Sequence, residues 1–236
     1  MAGAGTKMRN YFANRFHEFN DGEALATALS HRIAQELSNS STPSLAVSGG
    51  RTPTRMFQAL AEQECLWHDT LVTLVDERWV NEQHADSNGA LVRRHLLQQQ
   101  AAAATFLPLY QSGEQVSAQA TIEETLKQLP ATLDVAVLGM GNDGHTASLF
   151  PEAEQLAAAM DMQQPARSLF VQPPVAPHLR LTLSRAYLSA SKTLILHIQG
   201  EDKLATLQQA LAEGDEMAMP IRAFLPLPQL EIYWCP

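Results

Sequence analysis

Cysteine is nearly absent from this sequence: there are two, Cys65 and Cys235. Two residues cannot build a disulfide framework or a cysteine zinc site. Positive charge is also scarce. Lysine and arginine total 16 against 25 aspartates and glutamates, a formal net charge of −9. That balance argues against a general binder of nucleic acid or of an anionic membrane surface. It leaves room for an anionic small molecule, because a local basic pocket can sit on an acidic protein. Long hydrophobic runs are missing too. No stretch approaches a membrane span, and residues 1–20 lack an apolar signal core. A soluble, cytoplasmic protein is the simplest expectation. No internal repeat and no dividing linker is visible, so the expectation is a single α/β domain over residues 1–236.

What is present suits a well-packed core. Hydrophobic residues make up 45% and charged residues 17% of the chain, which argues against disorder. Short apolar runs predict strands at 45–47, 70–75, 135–138, 168–172, 179–183, 193–198 and 230–234. Helices are expected at 22–37, 53–63, 86–100, 115–129, 152–160, 184–190 and 200–212. The first is the clearest: Asp21 is placed to cap it, and Leu25, Leu29, Ile33 and Leu37 line one face. Residues 8–19 mix aromatic and polar side chains and are expected to hold one or two edge strands. Strands alternating with helices predict an α/β fold: a doubly wound, mostly parallel sheet with helices on both faces.

The most informative stretch follows the apolar run at 135–138. Gly139-Met140-Gly141-Asn142-Asp143-Gly144-His145 places an acid and an imidazole on a glycine-rich loop at a strand's end. Open α/β sheets put their chemistry there. The loop formally fits the dinucleotide fingerprint G-x-G-x-x-G, but that motif needs a long helix starting at the loop. Pro151 cuts any such helix short. A plain tight turn would explain the glycines but not Asp143 and His145.

Other candidates are spread along the chain. Ser48-Gly49-Gly50-Arg51-Thr52-Pro53 joins a strand to a helix whose expected N-cap is Thr52, with Pro53 as first helical residue. Its backbone N–H groups and helix dipole suit a phosphate; an ordinary strand-to-helix turn is the plain alternative. A serine nucleophile elbow fits worse, since Ala46 replaces the first glycine and the helix starts late. Asp76-Glu77-Arg78 offers two acids and a cation at the sheet's mouth, or else a solvated charged loop. Arg180 lies in a strand-like run, where an unpaired arginine is costly, so it pairs with an acid or faces an anionic ligand. Lys203 sits in a helix's first turn, against the dipole, which suits a ligand contact or a merely exposed lysine. His17, His31, His68, His84, His95, His178 and His197 show no metal-ligand spacing.

Taken together, Ser48–Pro53, Asp76-Glu77-Arg78, Ser87-Asn88, Gly139–Pro151, Arg180–Ser184 and Gly200–Lys203 resemble the 6-phosphogluconolactonase family, in its order and over most of the chain. The run Asp-Gly-His-Thr-Ala-Ser-Leu-Phe-Pro is the most specific piece. The related glucosamine-6-phosphate deaminases share the others but call for Asp-Gly-His-Ile-Ala-Phe-Asn-Glu-Pro. Here Phe150 precedes the proline, and phenylalanine cannot accept a hydrogen bond from an imidazole or carry a proton. Sugar-phosphate-sensing regulators are similar too, but the residues ahead of the first expected strands are too few for a helix-turn-helix.

The resemblance implies hydrolysis of 6-phospho-D-glucono-1,5-lactone without metal or organic cofactor. Its expected catalytic residues are His145, Asp143 and Arg78. His145 would be general base on water, since an ordinary imidazole titrates near ~6.5 and is largely neutral at pH 7. Asp143 either orients His145 or shapes the loop. Arg78 would contact substrate oxygens or the developing oxyanion. Gly49, Gly50 and Thr52 would cradle the phosphate, with charge from Arg180 and Lys203. Ser48, Asp76, Ser87, Asn88 and Gly141 complete the expected binding set. The expected partner is the small sugar-phosphate lactone, with no nucleic acid or membrane, on a monomer or weak homo-oligomer.

Overall fold

The computed structural model describes residues 3–236; Met1 and Ala2, which open the stretch searched for a signal core, lie outside the described residues. Helix α1 (Gly3–Phe12) comes first, then strand β1 (Phe16–Glu18). Of the one or two edge strands expected at 8–19, one forms, β1 at the edge of the main sheet, while residues 8–12 belong to a helix that was not expected. Met8 and Phe12, one helical turn apart, are both buried, which the four-residue spacing of a helix explains and the two-residue period of a strand does not.

Helix α2 (Gly22–Ser38) follows. Asp21 Oδ1 caps it, accepting the Glu23 and Ala24 N–H groups at 3.0 and 2.9 Å. Leu25, Leu29, Ile33 and Leu37 are buried, as their spacing requires. Strand β2 (Ser44–Val47) leads into α3 (Thr54–Ala61), then β3 (Leu71–Leu74), β4 (Asp76–Arg78) and α4 (Asn88–His95). The short β5 (Thr105–Phe106), α5 (Gln115–Leu126) and β6 (Val135–Leu138) come next. The chain closes with α6 (Leu156–Met160), β7 (Ser168–Val171), β8 (Arg180–Leu183), α7 (Arg185–Ser189), β9 (Thr193–Gln199), α8 (Glu201–Leu211) and β10 (Leu230–Cys235).

Seven strands form one sheet in the order β1-β10-β9-β6-β2-β3-β5, all neighbours parallel. From β2 the chain steps outward to β3 and β5. From β6 it steps the other way, to β9 and β10. Right-handed crossovers in opposite directions put helices on opposite faces, as the doubly wound expectation required. The reversal lies between β2 and β6, where such sheets open a ligand crevice at the strands' C-terminal ends. β2 and β6 are buried at every position.

The separate antiparallel sheet β4-β8-β7 was not foreseen. The chain passes into it at Val75. The Val75 N–H still bonds Val47 O of the main sheet at 2.9 Å, while its carbonyl accepts from Leu183 N at 2.8 Å. Asp76-Glu77-Arg78 is thus a strand, not a solvated loop, and this small sheet walls the crevice. Most helices are shorter than expected, and in three the reason is local. α3 starts at Thr54 because Pro53 O already accepts from Phe57 N at 2.8 Å; Pro53, not Thr52, holds the cap position and no side chain caps the helix. α4 gives way to a 3-10 turn at Gln99–Ala103, entered through the left-handed backbone of Gln99. α6 covers only the second half of 152–160. Among the described residues no helix is long and apolar enough to cross a membrane.

Candidate active site

The crevice is a cavity of about 430 Å³ between the ends of β2 and β6. Its first wall is the Ser48–Pro53 loop. Asn88 fills the space beside Gly49, where a Cβ would come within 2.8 Å of its Nδ2 and closer still to the rest of its carboxamide. Asn88 is itself pinned, donating from Nδ2 to Asp76 O at 3.0 Å. Gly50 takes φ of 90°, a left-handed backbone that glycine adopts freely. The N–H groups of Gly49, Gly50, Arg51 and Thr52 lie ahead of the helix and donate no hydrogen bond among the described residues. Four unspent donors beside a helix N-terminus suit an anion.

The second wall is the β4–β8 pair. Arg78 and Arg180 lie directly opposite each other across the two strands, an arrangement that disfavours like charges. Neither forms an ion pair among the described residues. Arg78 Nη1 donates to Asp86 O at 2.6 Å and Arg180 Nη2 to Pro177 O at 3.2 Å. Both Nε atoms are buried and unpartnered. Burial and then the facing Arg78 hold the Arg180 guanidinium below its ordinary value, against Asp76, Glu77 and Asp86. Two cations brought together with donors to spare suit a bound anion.

Glu77 braces this wall from behind. Its carboxylate accepts the N–H groups of Arg78, Asn88 and Gly89 at 2.7, 2.8 and 2.7 Å. Burial pushes its pKa up to about 7, against those three bonds. Asp76 accepts Ser148 Oγ at 2.5 Å, which ties the wall to the β6 loop.

That loop is the third wall. The Asp143 carboxylate accepts both the His145 N–H, at 3.0 Å, and His145 Nδ1, at 2.6 Å. With the proton on Nδ1, the Nε2 lone pair is free. Burial raises the Asp143 carboxyl, but the hydrogen bond and charge of His145 outweigh it and leave the group below its usual value. The imidazole rests on the Phe150 ring, centroids 4.3 Å apart. Gly141 is where ring and backbone meet. A Cβ there would lie 2.6 Å from Asp143 Oδ1 and closer to the His145 ring. Thr146 Oγ1 anchors the turn to Gly139 O at 2.8 Å. Lys203, from the first turn of α8, completes the cavity and donates from Nζ to Asn142 Oδ1.

A family model described as glucosamine-6-phosphate isomerases/6-phosphogluconolactonase matches residues 20–234. The chain belongs to this family. A 6-phosphogluconolactonase from Pseudomonas aeruginosa is 50% identical over 213 residues, 90% of this chain and 89% of that protein. One from Pseudomonas putida is 44% identical, over 95% of this chain and 94% of its own. The crystal structure of a 6-phosphogluconolactonase from Shewanella baltica matches with a TM-score of 0.90 at 39% identity, covering 94% of this chain and 97% of that one.

Within this family fold, the expected site residues fall into two groups. His145, Arg78, Ser48, Gly49, Gly50, Thr52, Asp76, Asn88, Gly141, Arg180 and Lys203 all line the cavity. Ser87 does not. It is the N-cap of α4, accepting Ala90 N at 3.1 Å and donating to Glu77 Oε2 at 3.3 Å. Asp143 reaches the cavity only through His145. Ser48 has no hydrogen bond to an imidazole among the described residues, so no Ser–His pair is assembled. No long helix starts at the β6 loop, which removes the dinucleotide reading. Sequence reasoning passed over three residues. Glu77 and Ser148 stood inside motifs already singled out. His197 lines the cavity from β9, and burial lowers its pKa to about 4. Its only sequence signal was a lone polar side chain inside an apolar strand.

Proposed function

We propose that this chain hydrolyses 6-phospho-D-glucono-1,5-lactone to 6-phospho-D-gluconate, the second step of the oxidative pentose phosphate pathway. One observation carries the reading: an imidazole oriented by Asp143, with Nε2 free, faces two unpaired arginines across one cavity. The lactone is an activated ester, so water, a base and charge stabilisation suffice for its hydrolysis. His145 Nε2 takes a proton from the attacking water, worth typically about 10²–10⁴-fold. The C–O bond forms at the carbonyl carbon, and Arg78 stabilises the oxyanion that develops. The tetrahedral intermediate then expels the ring oxygen, which receives the proton from His145. Asp143 holds the ring and its charge through both transfers. The phosphate lies on the N–H groups of Gly49, Gly50 and Thr52, with Arg180 and Lys203 supplying charge. Ser48, Asp76, Asn88 and Gly141 shape the sugar's place.

The deaminase reading lacks a part, because Phe150 packs on the imidazole where that chemistry needs a carboxylate. We read the chain as one α/β domain, a cytoplasmic enzyme acting as a monomer or weak homo-oligomer, with no cofactor in the chemistry. The decisive assay follows freshly made lactone and subtracts spontaneous hydrolysis. The expected result is acceleration that survives chelator treatment and falls about 10²-fold or more in kcat for His145→Ala. A rate equal to background, or full kcat in His145→Ala, refutes the assignment.

A further inference from the structure

Three side chains from two separate loops meet at the rim of the crevice, outside the cavity. His84 and Asp86 lie between β4 and α4. His178 ends the strap that joins β7 to β8. One ligand atom from each lies within 4.8 Å of the other two. Asp86 Oδ2 is 3.0 Å from His178 Nε2 and 3.8 Å from His84 Nδ1. One carboxylate oxygen therefore faces two imidazole nitrogens. The two rings stand edge to face, centroids 5.1 Å apart.

These groups are held, not loose. His84 N bonds Asn81 O at 3.0 Å and Ser87 N bonds His84 O at 3.1 Å, so the loop is a turn with its own backbone bonds. The Asp86 carbonyl is fixed by Arg78 Nη1 at 2.6 Å. The strap carries Pro173, Pro174 and Pro177, each of which locks its φ. His178 itself sits at φ of 70°, a left-handed backbone unusual for a residue with a β-carbon. Sequence spacing could not show this group, because His178 is distant in the chain and only the β4–β8 pairing brings it to Asp86.

We propose that His84, Asp86 and His178 form a binding site for a divalent transition-metal ion of the zinc class, which staples the β4–α4 loop to the β7–β8 strap. Two nitrogens and one oxygen suit borderline ions such as Zn²⁺ over Mg²⁺ or Ca²⁺, which take oxygen donors. Bonds of about 2.0–2.2 Å place tetrahedral ligand atoms about 3.3 Å apart. The observed 3.0 and 3.8 Å straddle that separation. His84 Nδ1 now accepts the Asp86 N–H at 3.1 Å; ligation through Nδ1 replaces that bond and releases an exposed N–H to water. The remaining coordination positions are open to water. The site lies outside the cavity and meets it through the Arg78 bond to the Asp86 carbonyl; metal binding there does not depend on the lactone chemistry.

The test uses the full chain, stripped with chelator and titrated with Zn²⁺ by calorimetry, with thermal unfolding followed alongside. The expected result is one ion bound per chain and a Tm that rises with free Zn²⁺, as for any ligand of the folded state. Losing even an outer-shell partner of a metal site costs about 10–100-fold in affinity, so His84→Ala and His178→Asn should each weaken binding at least about tenfold. Asparagine is chosen because it tolerates left-handed backbone. Both variants should lose the Zn²⁺-dependent rise in Tm. Binding that is unchanged in both variants, or no saturable binding by the parent chain, overturns the proposal.

Discussion

Replacing Gly141 by alanine adds one methyl group and tests the catalytic geometry. The new Cβ would stand 2.6 Å from Asp143 Oδ1 and nearer still to the imidazole of His145. Ordinary carbon contacts lie at roughly 3.5–4.0 Å, so both side chains must retreat by about 1 Å. Phe150 stands against the ring at 4.3 Å and limits where it can go. Misplacing a catalytic group by about 1 Å costs on the order of 10²-fold in rate, equivalent to about 2.7 kcal/mol of barrier. KM should change little, because the proposed phosphate contacts lie on other segments. Folding should survive. Gly141 needs no left-handed backbone, so the strain falls on the two neighbouring side chains and not on the path of the chain. The assay is the initial rate of lactone hydrolysis at saturating substrate, less the spontaneous rate, with a melting curve on the same sample. A kcat within about threefold of the parent, under ~0.7 kcal/mol, with an unchanged melt would refute the placement of His145 and Asp143.

Arg180→Ala should raise KM far more than it lowers kcat, since its proposed phosphate contact would serve ground state and transition state alike; an equal fall in kcat would put Arg180 at the reacting carbon instead. Ser87→Ala removes a helix cap worth about 1 kcal/mol and should lower Tm by roughly 2–4 °C while leaving KM alone. A raised KM without a lower Tm would return Ser87 to the substrate. His197 makes acid stability a second readout. The unfolded chain binds a proton near pH ~6.5 that the folded chain refuses until about 4, so stability is present above pH 6.5 and is lost as pH falls through that window, by about 3 kcal/mol. His197→Leu should therefore move the acid-unfolding midpoint to lower pH, as followed by circular dichroism, and an unmoved midpoint would assign acid lability elsewhere.

Particular elements show why some features could be read in advance and others not. The run at 135–138 was placed to the residue, because four buried apolar residues bounded by aspartate and glycine leave no other element. The α2 helix was placed within a residue for a similar reason: its cap and its four-residue spacing are both local. Residues 16–18 do form an edge strand, but residues 8–12 misled because their aromatics suit a strand by composition. The burial of Met8 and Phe12 against the rest of the fold decided for a helix. Thr52-Pro53 carried the right residues for a cap and first turn, yet α3 begins one residue later, with Pro53 at the cap position.

By itself the sequence determined the parallel strands, the flanking helices and the loops that hold Gly49, Gly141 and His145. These rest on interactions between residues a few positions apart, and hydrophobic period, caps and glycines express them directly. The tertiary structure alone decided that Arg78 faces Arg180, that Glu77 is a buried brace, and that His84 and Asp86 meet His178. Each of these follows from β4 leaving the main sheet to pair antiparallel with β8. Strand partners are chosen by packing across long stretches of chain, and no local pattern records that choice.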